Sequence, residues 1–199
     1  MKLELFTIGH SIHTWETFLG LLQSHRIGAL VDVRSTPFSA RLPHFCKPVL
    51  ELRLRTAQIR YIPMGEALGA RRSERECYVD GVARYDLIAE TSAFLAGLQR
   101  IRTGAAKFRI ALFCAEKDPL ECHRTILVCR HLRSSLDIQH ILWNGTLESH
   151  ADAERRLLYE EGLPQADLFT PSLSLMQQAY DRRGAKIAYH ESSEPAEHH

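Results

Sequence analysis

Between Phe113 and Arg124 the chain reads FCAEKDPLECHR, which places two thiols, three carboxylates, an imidazole and a guanidinium within twelve residues. These side chains suit three chemistries. The first is nucleophilic: a thiol at the start of a helix, beside histidine or arginine, gains thiolate character. Cys122 runs directly into His123 and Arg124, and Cys114, at the tip of an apolar run, is the rival nucleophile. Adjacent side chains on a helix point about 100° apart, so His10, at the end of an earlier apolar run, is a better-placed proton acceptor than His123. Cys122 is expected to react fastest of the five cysteines. Cys129 is expected in the core, and Cys46 and Cys77 in loops.

The second chemistry is metal binding. Cys114, Cys122, His123, His10 and His44 are zinc-type ligands. The chain has no CxxC pair, however, and Cys122 and His123 are adjacent, so the expectation is no metal and no cofactor. The third is anion binding. Arg34 and Arg124 could fork onto a phosphate or carboxylate near a helix start. Neither GxxxxGK nor GxGxxG occurs, which excludes the common phosphate-loop motifs. The plainer reading is a buried strand end at Cys114, inert thiols, Arg34 paired with Asp32 or Glu116, and Arg124 in solvent.

The elements that must position these residues follow from periodicity. Leu3–Ile8 and Ala29–Val33 read as short strands, with IRYIPM as a third. Thr14 caps a helix carrying Trp15, Phe18, Leu19 and Leu22, and Pro48 suits the first turn of another. Residues 65–81 have no period and predict a surface excursion. Arg71, Arg72 and Arg75 there lie near Tyr78, as a solvated face or, second, a contact for nucleic-acid phosphates. Val82–Leu98 predicts a helix with Tyr85, Ile88, Ala89, Phe94 and Leu95 inward. Phe108–Cys114 is the clearest strand. Cys122–Leu136 predicts a helix burying Val128, Cys129, Leu132 and Leu136. IQHILW predicts a strand and Glu148–Glu160 a helix. Thr170 as cap, with Pro171 in the first helical position, predicts a last helix.

Strands alternating with helices give an α/β class: a single domain with a mainly parallel sheet flanked by helices. The domain is assigned to residues 1–170, with a C-terminal helix and tail over 171–199. Such sheets bind ligands beyond the C-terminal ends of their strands. Gly9-His10-Ser11, then Asp32, Arg34 and Ser35, then Cys114 and Glu116 all follow strands. One polar, anion-binding cleft is therefore expected, with His10, Asp32, Cys114, Glu116, Cys122 and His123 as catalytic candidates and Arg34 and Arg124 as anion ligands.

Composition narrows the class. The 199 residues are 45% apolar and 25% charged, with net charge +1. That fits one folded domain and excludes a global attraction to nucleic acid or anionic membrane, though a local patch is compatible. No apolar run approaches the roughly 18 residues of a membrane span. MKLELFTIGH shows no secretion signal, so a cytoplasmic location is expected. An odd cysteine count argues against a disulfide framework. The last two histidines are set aside as a tag or a native end.

FTIGHS, LVDVRSTPFS, IRYIPMGEALG, LFCAE, CHRTILVCRHL and HILWNG, in that order, resemble the DUF488 family of uncharacterised proteins from about residue 4 to about residue 160. The resemblance implies an α/β domain. It marks as characteristic Gly9, His10, Ser11, Asp32, Arg34, Pro37, Ser39, Tyr61, Gly69, Cys114, Glu116, Cys122, His123, Arg124, His140 and His150, without assigning them roles.

The reading that unites these observations is an enzyme acting on a phosphate-bearing nucleotide or nucleic-acid component. Arg34 and Arg124 would neutralise the anion, His10 would move a proton, and Cys114 or Cys122 would react. Asp32 and Glu116 would orient them or serve as acid and base. The alternative is a non-catalytic nucleotide or nucleic-acid binding or sensing module. A scaffold would instead expose a large apolar patch.

Overall fold

The computed structural model describes residues 2–165 and 171–191. Its centre is strand β6 (Ile110–Cys114), a five-residue apolar run with every position buried. On one side lies β2 (Ala29–Asp32), on the other β1 (Leu3–Gly9), both parallel to it. Beyond β2 comes β3 (Arg60–Pro63), and beyond β1 comes β7 (Leu136–Ile141), again parallel. Within this six-stranded sheet the edge strand β8 (Leu147–Ser149) runs antiparallel to its neighbour. Continuous apolar runs suit this arrangement because a parallel sheet is covered on both faces.

The period of two in β6 sorts the cores. Ile110, Leu112 and Cys114 join one cluster, with α5 (Ser92–Ala105) and much of the C-terminal half. Ala111 and Phe113 join the other, with α1 (Trp15–Ser24) and α2 (Lys47–Thr56). Cys114 and Phe113 thus leave the strand on opposite faces. Register then levels the strand ends: Gly9 lies opposite Cys114, and Asp32 opposite Phe113.

Several boundaries differ from the sequence expectation. Within residues 65–81, Gly65–Leu68 forms the short helix α3, and Tyr78–Val79 forms β4. Val82–Ala83 is β5, paired antiparallel with β4, not the start of a helix. Asp80 and Gly81 between them both have positive φ, 50° and 74°, the Asp-Gly turn that favours a hairpin. The expected helix then splits into α4 (Tyr85–Glu90) and α5, because the Thr91 side chain accepts the Phe94 N–H and restarts the helix. That reorientation leaves Leu95 53% exposed.

Arg124–Cys129 is a π-helical segment with all six residues buried, continued by the turn α6 (Arg130–Leu132). Leu136 is buried, but as the first residue of β7 beside Leu3. Glu148 belongs to β8, and α7 (His150–Glu160) begins after the Ser149 cap. The last helix, α8 (Ser172–Ile187), has Pro171 at its N-cap position, not its first helical position, with no side-chain capping bond, and the expected cap Thr170 lies outside the described residues.

A buried chain of hydrogen bonds ties α8 to the sheet. Thr7 Oγ1 lies 2.8 Å from His140 Nδ1, and His140 Nε2 lies 3.0 Å from His150 Nδ1. His150 Nε2 lies 3.0 Å from the Tyr180 hydroxyl, which donates to Glu154 Oε1 at 2.9 Å. The carboxylate can only accept, so the tyrosine proton points to it. Every upstream proton then points the same way, and each imidazole carries one proton. Burial lowers His150 to about 4 and His140 well below the ordinary histidine range.

Both imidazoles are neutral in the folded chain and gain a proton on unfolding below about pH 6.5. Their contribution is complete above that value and is lost as pH falls toward 4. Urea unfolding should show stability falling between about pH 7 and pH 5, by about 2 kcal/mol from His150 alone. His150→Gln should start less stable and lose less over the same interval. An unchanged slope in the variant would contradict the neutral relay.

Candidate active site

The loops after β1, β2 and β6 meet around a cavity of about 660 Å³. The β1 and β6 loops are bonded to each other: His10 N donates to the Cys114 carbonyl at 3.0 Å, and Ser11 N to the Ala115 carbonyl at 2.9 Å. Ser11 sits at φ 47°, a left-handed position that turns the chain out of the sheet. Gly9 is required at this crossing, because a Cβ there would lie 1.8 Å from the Glu116 carbonyl oxygen.

Arg34 is held by Asp32 in a two-pronged pair, Nε to Oδ1 at 2.9 Å and Nη2 to Oδ2 at 2.6 Å. Nη2 also donates to the Phe45 carbonyl at 2.9 Å, and Tyr61 donates to Asp32 Oδ2 at 2.8 Å. Asp32, 1% exposed, thereby serves as an orienting carboxylate. Leaving a buried guanidinium unpaired would cost about 3–5 kcal/mol. The remaining nitrogen, Arg34 Nη1, is buried without a hydrogen-bond partner. Arg34 lies on the cavity wall.

Arg124 occupies a different position. It is 1% exposed and donates from Nη1 to the Glu116 carbonyl at 2.9 Å and from Nη2 to the Lys117 carbonyl at 3.5 Å. It is neither in solvent nor on the cavity wall. Its guanidinium props the loop that carries Glu116, so the two arginines do not line the cavity together.

The thiols converge. Cys114 Sγ lies 3.8 Å and Cys122 Sγ 4.0 Å from His123 Nδ1, and these three atoms all fall within 4.8 Å of one another. Glu116 Oε2 lies 2.8 Å from Cys122 Sγ. Cys122 and His123 are not successive residues of one helix, because Cys122 is extended, at φ −138° and ψ 137°, ahead of the π-helical segment. His123 Nε2 lies 2.9 Å from the Val33 carbonyl. A carbonyl cannot donate, so Nε2 carries a proton and Nδ1 faces the sulfurs; burial opposes protonation, but Cys122 and Glu116 raise His123 above the ordinary histidine range.

Electrostatics separate the two thiols. Burial pushes Cys114 well up, and Cys122 beside it adds to the shift. Cys122 is held well below the ordinary thiol range: burial opposes this, but Cys114, the Arg124 charge and His123 outweigh it. The Arg124 backbone N–H also points to Cys122 Sγ at 3.4 Å. Burial raises Glu116, reinforced by Cys122. His10 stacks on Phe45 at 4.3 Å between ring centroids, and its Nδ1 bonds the Ser11 carbonyl at 2.9 Å. Burial lowers it to about 4, so it is neutral near pH 7.

Cys114, Glu116, His123 and His10 reach the cavity wall with Arg34, whereas Cys122 lies behind them. Residues not singled out as site candidates complete the wall: Phe38, Tyr85, Glu121, Tyr189 and His190, with Arg71 from the basic cluster. Phe38, 68% exposed, carried a signal as an aromatic in a polar loop. Tyr189 and His190 carried none. They arrive because the segment after α8 pairs with the β4–β5 hairpin, Val82 bridging His190. Arg71 stacks on Tyr189 at 4.4 Å, whereas Arg72 turns inward, 8% exposed, to the Ala67 carbonyl at 3.1 Å. His140 and His150 belong to the buried relay, and His44 bonds the His13 carbonyl at 3.0 Å.

Fold and site together define an α/β domain with a thiol, imidazole and carboxylate cluster at the C-terminal edge of a mainly parallel sheet. The family model described as "Domain of unknown function DUF488" matches residues 14–130, more than half of the chain. The protein belongs to that family. The matched span includes Asp32, Arg34 and the Phe113–Arg124 stretch, while His10 and the histidine relay lie outside it. No curated protein and no solved structure matches the chain. Among the described residues, no helix is long and apolar enough to cross a membrane.

Burial reorders the expected thiol reactivities. Cys46 is half-buried, whereas Cys77, Cys114, Cys122 and Cys129 are buried. With a bulky maleimide at neutral pH, the native chain should label first at Cys46, and Cys77 and Cys129 should label only on unfolding. Peptide mass analysis gives the order. Labelling of Cys122 ahead of Cys46 would show that the Cys114–His123 loop opens readily.

Proposed function

We propose that the protein is an enzyme acting on a phosphate-bearing nucleotide or nucleic-acid component bound in this cavity. The observation that carries the reading is Arg34, a residue of the wall shared by Cys114, Glu116 and His123, whose buried Nη1 has no hydrogen-bond partner. An unsatisfied buried donor costs about 1–3 kcal/mol, and an anionic oxygen would satisfy it. Asp32 and the Phe45 carbonyl fix the rest of the fork, so the charge is already oriented.

The other walls fit the same ligand. Phe38, Tyr85 and Tyr189 offer surfaces for a base, and Ser35, Thr36 and Ser39 offer hydroxyls beside Arg34. His10, neutral and with no partner at Nε2 among the described residues, is the group to accept or return a proton. Glu116, beside Cys122, is the second such group. Arg124 keeps Glu116 in place without touching the ligand. The domain assignment, residues 1–170 with 171–199 appended, enters this reading through Tyr189 and His190, which give the appended segment a share of the pocket. A cytoplasmic location fits the reduced thiols that this chemistry uses.

Calorimetric titration with nucleoside monophosphates, matched nucleosides and short oligonucleotides tests the reading, with product analysis of each mixture. Phosphate-bearing ligands should bind and nucleosides should not. Arg34→Lys, checked for folding by circular dichroism, should weaken binding by about 10–100-fold, the loss expected for one charge-assisted hydrogen bond. Glu116→Gln should keep binding and lose turnover. Equal binding of nucleosides and nucleotides would contradict the anion role. Binding without conversion of any ligand would favour the non-catalytic module.

A further inference from the structure

We propose that Cys114, Cys122 and His123 form a site for one zinc-class divalent ion, with the fourth coordination position open toward the cavity beside Glu116. The inference deepens the enzymatic reading and takes the same cluster as its reacting centre. The sequence expectation of no metal rested on ligand spacing along the chain. The fold supplies the closeness instead: the Glu116–Glu121 loop folds Cys122 back onto the end of β6.

The donor geometry fits. In a tetrahedral site with bonds of about 2.0–2.3 Å, neighbouring sulfur and nitrogen ligands lie about 3.5 Å apart. The two sulfur-to-Nδ1 separations are 3.8 and 4.0 Å, so a few tenths of an ångström of contraction would close them on an ion. All three atoms sit within 4.8 Å of one another. His123 is oriented for ligation, because its Nε2–H is spent on the Val33 carbonyl at 2.9 Å and leaves Nδ1 facing the sulfurs, where an ion would displace any proton it holds. An outer hydrogen bond of this kind fixes the tautomer of a metal-binding imidazole.

The surroundings fit as well. Arg124 is a buried positive charge whose hydrogen bonds go to carbonyl oxygens, with Glu116 Oε2 no nearer than 4.0 Å. Two thiolates and the Glu116 carboxylate would give three negative charges. Arg124 and a divalent ion would together balance them. Uptake of the ion would release the Cys114 proton and the proton held among Cys122, His123 and Glu116.

Glu116 stands outside the ligand set. Its oxygen is 2.8 Å from Cys122 Sγ, closer than two ligands of one ion sit. It reaches the cavity wall with Cys114 and His123. Three protein ligands plus an open position is the catalytic arrangement of zinc, in which the ion polarises a bound water or substrate oxygen. The carboxylate beside that position would take the proton of the water.

Cobalt substitution tests the site. The reduced full chain, stripped with a chelator, should bind Co²⁺ one to one, with a thiolate-to-metal charge-transfer band and the strong visible bands of tetrahedral cobalt. Cys122→Ser and His123→Asn should lower affinity by at least about 100-fold, and Cys46→Ser should leave the spectrum unchanged. No charge-transfer band in the wild-type chain, or a band of undiminished intensity and affinity in Cys122→Ser, overturns the proposal. If the variants fail to fold, X-ray absorption of the zinc-loaded wild-type chain decides. Two sulfurs and at least one imidazole nitrogen support the site, and a shell of oxygen and nitrogen alone overturns it. Turnover of a nucleotide by the fully chelated chain would overturn the metal's role and leave the enzymatic reading standing. A cobalt site in a chain that binds no nucleotide would do the reverse.

Discussion

The buried guanidinium of Arg124 is the constraint on which the site depends. It reaches from the start of the π-helical segment to the carbonyls of Glu116 and Lys117 and so holds the loop that leaves β6. The loop lies so close over Gly9 that no other residue fits beneath it, since an added Cβ would also come within 3.2 Å of Arg124 Nη1. Arginine and glycine therefore form one device. The glycine admits the loop, the arginine clamps it, and Glu116 is delivered to Cys122. A lysine at 124 could not replace it, because a point charge lacks the planar fork that spans two successive carbonyls.

The second constraint is register. Gly9 opposite Cys114 and Asp32 opposite Phe113 bring three strand ends to one level. Side-chain alternation then divides the labour. Cys114 points toward the π-helical segment and meets Cys122 and His123, while Phe113 points to the opposite face and carries the Arg34 guanidinium at 4.6 Å from its ring. One strand thus supports the thiol cluster on one side and the Asp32-paired arginine on the other. The π-helical geometry belongs with this, as such segments often occur at functional sites.

Much of the fold was legible because apolar periodicity is strong where strands are fully buried. β6 and the parallel order around it follow from unbroken runs, and Thr14 marks the start of α1 by its capping chemistry. Boundaries failed where a local turn outweighed periodicity: the Asp80-Gly81 hairpin and the Thr91 cap both interrupt a stretch whose apolar spacing reads as one helix. The gathering of His10, Arg34, Cys114, Glu116 and His123 was legible from strand-end placement. The separation of Arg34 from Arg124 was not. Arg34 follows an apolar strand and Arg124 opens an apolar helical segment, and only tertiary packing shows that one faces the cavity and the other props a loop. Proximity of Cys114 to Cys122 was equally hidden, since eight positions of sequence separation say nothing about a loop that doubles back. Tyr189 and His190 are set by a bridge to a distant hairpin, which leaves no local signature.

The central claim is that one cavity joins a metal-binding thiol and imidazole cluster to an oriented arginine. Crystals of the full chain grown with zinc and a nucleoside monophosphate test it most directly, through anomalous diffraction at the zinc edge. The account predicts a single peak about 2.0–2.3 Å from Cys114 Sγ, Cys122 Sγ and His123 Nδ1, with the phosphate against Arg34 in the same cavity. A peak elsewhere, or a phosphate bound away from Arg34, would contradict it.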